Sequence, residues 1–467
     1  MPRYRPIQTQ TIDEIRSLSP DLQILEGDMQ QYGRDETENL FFKPELVVSA
    51  HTEKAIALLL KYCHTNNIPV TTRGAGTGLS GGALPTAGGI VLLTEKLNRI
   101  IKIDFDNFQA IVQPGVINEI LQQEAAKYGL FFGPDPASKG SSFIGGNIAE
   151  NAGGPKALKY GTVKDNVLNL KVVCANGEII QTGANTLKNS TGYNLTQLII
   201  GSEGTLGIVI EATLKLYPLP AHTATVLIPF HSEIEACKAV NTILLSGLQP
   251  VALEFMEKDA LLWSMDYSDE ETTIPLDCEA HLLVQLENNL EDRLFADSEK
   301  LYNLMSKFDT GEILFAGSKS EEERLWKLRR NIAHAVHDHS IYKEEDTVVP
   351  RAYLPQLLKA VKEIGDNYGF KSVCYGHAGD GNLHVNIVRG NLNDEAWNIT
   401  IKKGIREIFQ VVKKLGGTIS GEHGIGWVQK EYMDIAFSQS ELNIMKQIKS
   451  VFDPNGILNP GKIFPDA

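Results

Sequence analysis

Residues 71–82, TTRGAGTGLSGG, hold five glycines within the nine positions 74–82. No helix or strand interior tolerates that density, because glycine loses more backbone freedom on ordering than any other residue. The segment must be a loop, and it stays ordered only if something lies against it. With no Cβ in the way, its backbone N–H groups can turn together toward an anion. Two more stretches repeat the pattern: FFGPDPASKGSSFIGGNIAENAGGPKALKYGTVKDNV (131–167) and GYNLTQLIIGSEGTLGIV (192–209). Both keep apolar anchors and are expected to be ordered. Three glycine-rich loops joined by strands suit a large, flat, polar ligand, and a dinucleotide fits that description better than a mononucleotide.

The first loop follows a strand, as a Rossmann fingerprint does, but a Rossmann loop opens directly into a helix. Here GALPTAGGIVLLTE follows, another turn and another strand, so Glu95 lies about twenty residues on with no helix between. No Gly-Lys-Ser/Thr closes the loop either, which excludes a Walker A site. Taken alone, such a loop is equally a structural turn.

The local patterns alternate through the first half. TEKAIALLLKYCHTNN has helical apolar spacing with Thr52 as N-cap. IPVTTR and GGIVLLT read as short strands, IIKIDFDNFQAIVQPG as two strands about a polar turn, and VINEILQQEAAKYG as an amphipathic helix closed by Gly129. VLNLKVVCANGEIIQT reads as a strand pair turning at Asn176-Gly177, and GIVIEATLKLYPLP as a strand ending in prolines, a domain boundary. Beyond it, strands ATVLIPF, PVALEFM and AHLLVQLE mix with helices over SEIEACKAVNTILLSG, EDRLFADSEKLYNLMSKF, EEERLWKLRRNIAHAVHDH, RAYLPQLLKAVKEIGDNYG and DEAWNITIKKGIREIFQVVKKLGG. The last precedes an expected strand, TIS. Helices packed on an antiparallel sheet are expected there, an α+β class. The tail FDPNGILNPGKIF is too rich in Pro, Gly and Asn for regular structure and should pack as an extended loop.

A chain of 467 residues calls for two or three domains. Its formal net charge of -14 repels nucleic acid and anionic membrane surfaces. No apolar run approaches the ~20 residues of a membrane span, and the N-terminus lacks the apolar core of a secretory signal. The five cysteines are scattered, with no C-x-x-C pair, which argues against disulfides, structural zinc and iron–sulfur clusters. A reducing cytoplasm is expected. A redox enzyme built this way would pass its electrons to another molecule.

YGHAGDGNLHVNI (375–387) places two of the eleven histidines around a Gly-Asp-Gly turn. His384 and Asn386 fall on one face of a strand, and the turn can fold His377 toward His384. Alone, such a pair is more often a strand–turn–strand with incidental imidazoles. GTISGEHGIGW (417–427), read as a turn between a strand and a helix, adds a carboxylate and an imidazole. Two histidines and a glutamate with an open position form a catalytic rather than a structural ligand set, and such donors suit Zn²⁺, Mn²⁺ or Fe²⁺. A carboxylate substrate would want a guanidinium fork, and LWKLRRN supplies Arg329 and Arg330, while VVPR supplies Arg351.

Six motifs, RGAGTGLSGG, GPDPASKGSSFIGGNIAENAGG, GYNLTQLIIGSEGTLGIV, GHAGDGNLHVNI, SGEHGIG and DPNGILNPGK, occur in one order from about residue 40 to the C-terminus. In this the chain resembles the FAD-linked oxidases of the vanillyl-alcohol-oxidase (PCMH-type) fold, in the branch of the glycolate oxidase flavin subunit and D-lactate dehydrogenase. One departure is Asn194, where GYDLT would be expected.

The resemblance implies an N-terminal helical segment (1–37), a PCMH-type FAD-binding domain of two subdomains (38–218), an α+β substrate or cap domain with an antiparallel sheet (219–420), and a C-terminal helical and extended segment (421–467) returning to the flavin. It implies that Arg73, Gly74, Ala75, Gly76, Thr77 and Gly78 wrap the FAD pyrophosphate. Pro134, Asp135, Ser138, Ser141, Gly145, Gly146, Asn147 and Asn151 would line the isoalloxazine, with Gly204 and Ile208 beside them and Asn459 reaching the flavin from the tail. It assigns His377, His384 and Glu422 as metal ligands, His423 as the base and Arg329 as the carboxylate clamp; Arg330 is as readily a surface charge. Segment 65–173 contains neither His nor Cys, so the FAD is expected to be non-covalent.

The expected reaction is FAD- and metal-dependent oxidation of a small D-2-hydroxy acid, D-lactate or glycolate, to the 2-keto acid, with Asn386 orienting the hydroxyl. D-2-hydroxyglutarate is the alternative acid, although Lys343 lies among acidic residues and favours a monocarboxylate. Another class is an FAD-binding electron-transfer subunit without its own substrate site. A third is a non-redox transferase of the same fold, whose run of histidines is not found here. The expected acceptor is external: a quinone, a cytochrome or an iron–sulfur partner subunit. A cytoplasmic chain, peripheral to the membrane through that acceptor, follows, and it is compatible with a homodimer.

Overall fold

A computed structural model describes residues 4–37, 39–268, 274 and 277–466. Residues 1–3 of the expected N-terminal segment, and residue 38 after it, lie outside the described residues. The chain forms two compact units, neither continuous in sequence: residues 1–153, 161–219 and 422–467, and residues 154–160 and 220–421.

The first unit contains two sheets. In one, strands Leu22–Ile24, Leu46–Ala50, Ile90–Leu93 and Val70–Arg73 lie in that order, the last three mutually parallel. Helix Glu53–Asn66 packs on this sheet through Ile56, Leu59, Leu60 and Cys63. Thr52 caps it as expected, its hydroxyl accepting the Ala55 N–H at 3.2 Å. Strands Val70–Arg73 and Ile90–Leu93 pair in parallel with no helix between them. The glycine-rich loop must therefore travel back along the full strand length, which explains its size. The C-terminal tail adds to the same edge: Val70 N–H donates to Ile457 O, and Asn459 N–H donates to Val70 O, both at 2.8 Å.

The second sheet is antiparallel, in the order Ile100–Asp104, Gln109–Val112, Ile208–Pro218, Val167–Val173, Ile179–Gln181, with Leu130–Phe132 joining the far end of Ile208–Pro218. A helix over Ile144–Glu150 lies inside the second glycine-rich stretch and was not expected from the sequence. Two glycines in its first turn conceal it. Gly145 is needed there, since a Cβ would lie 2.6 Å from Pro114 Cβ.

The second unit is the α+β arrangement expected: helices on a seven-stranded antiparallel sheet. Its last four strands are Ala252–Glu257, Lys371–Gly376, Asn382–Val388 and Tyr342–Val348. Strand Asn382–Val388 is buried along its whole length. The turn before it needs glycine at 381, where φ is +84° and a Cβ would collide with Val349 O. The strand expected over TIS reduces to a single bridge between Thr418 and Val348. No strand leads into the Gly-Glu-His-Gly turn and no helix directly follows it; past Thr418 the segment keeps one backbone bond to the same strand, Gly421 N–H to Asp346 O at 3.1 Å.

Candidate active site

The first unit holds a cavity of about 1360 Å³, counting the open space at its mouth. Its wall contains Gly74, Ala75, Gly76, Thr77 and Gly78 from the first loop, Ser138, Gly145, Gly146 and Asn147 from the second, and Gly204 and Ile208 from the third. The three loops that stood apart in sequence share one cavity. Glu422 and His423 also line it.

Six residues expected at the cofactor do not line this wall. Arg73 lies beneath the loop: its guanidinium fills the space a Gly76 Cβ would need, and Nη1 donates to Arg34 O at 2.6 Å. Pro134 O accepts from Asn118, and Asp135 is buried in an ion pair with Lys139 at 2.9 Å. The Ser141 hydroxyl donates to Ser138 O. Asn151 caps helix Ile144–Glu150 in a left-handed conformation, its Oδ1 accepting the Lys164 N–H at 2.8 Å. Asn459 directs its amide to Gly82 O and Glu203 O, at 2.9 and 2.8 Å, and so ties the tail to two loops.

The sequence reading missed a group of ionisable side chains, Glu203 and Lys462 buried and Glu150 half-buried. Glu150 lies against Gly78 on the cavity wall, where burial, reinforced by Glu203 and opposed by His423, pushes its carboxyl up to about 8. Glu203 is buried and accepts the N–H groups of Ile425 and Gly426, both at 2.7 Å. Burial raises its pKa despite those bonds. Lys462 donates to Leu84 O at 2.6 Å and Asn459 Oδ1 at 3.2 Å, and burial pulls its ammonium down to about 7. Glycine is required after the Glu-His pair: at 426, φ is +51° and a Cβ would strike Ser80 O.

In the second unit the GHAGDGNLH turn brings the two imidazoles together as expected, with ring centroids 5.5 Å apart and planes at 82°. His377 Nδ1 lies 2.9 and 2.8 Å from the two oxygens of Glu254. His384 Nδ1 lies 3.4 Å from Glu344 and 3.7 Å from Asp346. Arg329 is 6% exposed, with Nη2 2.7 Å from Glu254 Oε2 and its guanidinium over the Tyr375 ring at 4.9 Å. Its Nε and Nη2 are both buried with no hydrogen-bond partner, the Nη2–Glu254 contact being an ion pair. Arg330, by contrast, is exposed and lies over Trp326. Arg351 is exposed. Asn386 is wholly buried and its amide donates to Val373 O at 3.3 Å, within the sheet. Lys343 lies over the Trp397 ring.

Residues 219–463 match the C-terminal domain of FAD linked oxidases, and residues 44–183 match an FAD binding domain. The glycolate oxidase subunit GlcD of Bacillus subtilis is 38% identical over 436 residues, covering 93% of this chain and 92% of that protein. The chain belongs to the FAD-linked oxidase family. It is an oxidoreductase. A D-lactate dehydrogenase of Anaerostipes hadrus is 34% identical, covering 99% of this chain and 98% of its own. A p-cresol methylhydroxylase structure with substrate bound superposes with a TM-score of 0.81 at 17% identity, over 100% of this chain and 99% of that one, and shows the fold alone.

For an FAD-linked oxidase the cavity chemistry fits the cofactor. The glycines at 74, 76 and 78 leave backbone free to approach a pyrophosphate. Ser142 Oγ and Asn147 Nδ2, both on the wall, are buried without a hydrogen-bond partner and are suited to a polar ligand edge. The paired imidazoles of the second unit, His377 held by Glu254 and His384 with Glu344 at 3.4 Å, likewise have the donor chemistry of a divalent ion site. Among the described residues, no helix is long and apolar enough to cross a membrane.

Proposed function

We propose that this chain oxidises a small D-2-hydroxy acid, D-lactate or glycolate, to the 2-keto acid, with non-covalent FAD and a divalent ion, Zn²⁺, Mn²⁺ or Fe²⁺. One observation carries the reading: a buried guanidinium with a spare Nε donor lies beside two imidazoles backed by carboxylates. An acid bearing a carboxylate and a neighbouring hydroxyl is the ligand that uses both.

His377, His384 and Glu422 would hold the ion. Glu422 follows Gly421 directly in the chain, and the Gly421 N–H is held by Asp346 at 2.7 Å. When bound, the ion would lower the pKa of the substrate hydroxyl and the FAD would take up two electrons. Arg329 binds the carboxylate and sets its orientation. His423 accepts the hydroxyl proton. Asn386, on the face of His384 yet wholly buried, orients the hydroxyl by fixing that strand. Residues 38–218 are assigned to the flavin, 219–420 to the substrate, and 421–467 to completing both, with 1–37 as an N-terminal extension.

The two relatives are named for glycolate and D-lactate, which supports a 2-hydroxy acid as substrate class. GlcD is named as a subunit, which supports electron delivery to an iron–sulfur partner, a cytochrome or a quinone. The scattered cysteines support a cytoplasmic setting for the reaction. Anaerobic titration with D-lactate, glycolate and D-2-hydroxyglutarate, before and after a chelator, tests this. Bleaching of the flavin that a chelator abolishes is expected. No bleaching by any short D-hydroxy acid would sink the proposal.

A further inference from the structure

Glu254 lies on strand Ala252–Glu257 with no exposed surface, and no step above uses it. A carboxylate buried so deeply is costly unless it is paired. It is paired twice. Arg329 Nη2 stands 2.7 Å from Oε2, and His377 Nδ1 stands within 2.9 Å of both oxygens.

A carboxylate paired with a guanidinium accepts hydrogen bonds and cannot donate one. His377 Nδ1 therefore donates to Glu254, and Nε2 is left as the ring atom that an ion would meet. The same carboxylate fixes the guanidinium, whose face lies on Tyr375, and the Tyr375 ring lies 5.2 Å from His384. Glu254, Arg329, Tyr375, His384 and His377 thus close a ring of contacts inside one sheet.

We propose that Glu254 is a positioning residue that selects Nε2 of His377 for the ion and holds Arg329 for the acid, so that one carboxylate serves both ligands. The inference rests on the reading that an ion and a hydroxy acid bind here. Losing the charge frees His377 to adopt its other tautomer and leaves Arg329 a buried cation without a counterion. Groups that orient a metal-bound histidine typically contribute about 10–100-fold in ion affinity.

The test uses the FAD-loaded wild-type chain, Glu254→Gln and Glu254→Asp. Affinity for Zn²⁺ and for Mn²⁺ is measured by competition with a chromophoric chelator, and KM and kcat for D-lactate and glycolate are measured separately. Glu254→Gln should weaken the ion about 10–100-fold and raise KM, with flavin content unchanged; Glu254→Asp should recover part of both. Wild-type ion affinity together with wild-type KM in Glu254→Gln would overturn the proposal. A second measurement needs no variant at position 254. In ¹⁵N-histidine spectra of the Zn²⁺-loaded wild type, the resonance lost in His377→Gln should show a protonated Nδ1 and an ion-bound Nε2. The opposite tautomer would overturn the proposal even if the Glu254 variants fail to fold. Wild-type protein that binds neither ion would instead refute the functional reading, a distinguishable result.

Discussion

Glu203 Oε2 accepts the Gly426 N–H at 2.7 Å, across 223 residues of chain. The other carboxylate oxygen accepts the Ile425 N–H at the same distance. One buried side chain from the third glycine-rich loop thereby holds the turn that follows Glu422 and His423. Hydrogen bonds to a charged acceptor are worth about 1.5–3 kcal/mol each. Glu203→Gln turns an NH₂ group toward one of those N–H donors and should release the turn. A drop in kcat/KM of roughly 10–100-fold, with flavin content retained, is expected; unchanged kinetics would show that the turn holds itself.

Glu150 gives flavin binding a pH dependence. Its carboxyl is raised to about 8 and lies on the wall shared with loop 74–78. Below that pH it is neutral; above it, it is an anion facing the site of an anionic diphosphate. FAD affinity should therefore fall as pH climbs through about 8. In Glu150→Gln the fall should be absent. Fluorescence titration of flavin from pH 6 to 9.5 checks this, and parallel curves for the two proteins would refute it.

These two carboxylates also mark where the sequence stopped being informative. The glycine loops were legible because their chemistry is local: Gly76 and Gly381 sit at positive φ against groups that leave no room for a Cβ. Thr52 was legible as a cap for the same reason. The helix Ile144–Glu150 was not, because Gly145 and Gly146 look like loop, and only the packing on Pro114 requires them. Glu150 carries no local signature, and neither do Glu203 and Lys462, which are buried against segments hundreds of residues away. Asn459 was singled out from its motif, yet only the structure shows its amide spent on Gly82 and Glu203. The discontinuity of the units, with 154–160 in one and 422–467 in the other, has no compositional mark.

Lys462 should leave its trace in stability. Burial lowers its ammonium from 10.5 to about 7. From pH 7 to 10.5 the unfolded chain binds the proton and the folded chain does not. The penalty is therefore full below 7 and disappears as pH rises, so stability gains with pH across that window. Lys462→Met removes this term along with two hydrogen bonds. The wild-type minus Lys462→Met difference in Tm should grow from pH 7 to pH 10. A flat difference would mean that Lys462 stays protonated in the fold.

Gly381 can be tested without touching a side chain of the site. It ends the turn joining His377 to His384, at φ +84°, with Val349 O where a Cβ would stand. Gly381→Ala combines backbone strain with a clash and should cost about 1–3 kcal/mol. Urea unfolding followed by tryptophan fluorescence measures it. Ion affinity should fall with stability, because the same turn sets the imidazole spacing.

Arg329 offers the sharpest test of the substrate assignment. Its Nη2 faces Glu254, while its Nε is buried without a partner. Arg329→Lys keeps a cation for Glu254 but cannot supply a second, fixed donor. Stability should change little, whereas KM for the hydroxy acid should rise by about 10-fold or more, the value of one hydrogen bond to a charged group. Arg329→Met leaves Glu254 a buried charge with His377 as its remaining partner and should lose several kcal/mol of stability as well. If Arg329→Lys binds D-lactate and glycolate like the wild type, the guanidinium serves the sheet alone and another group must recognise the carboxylate.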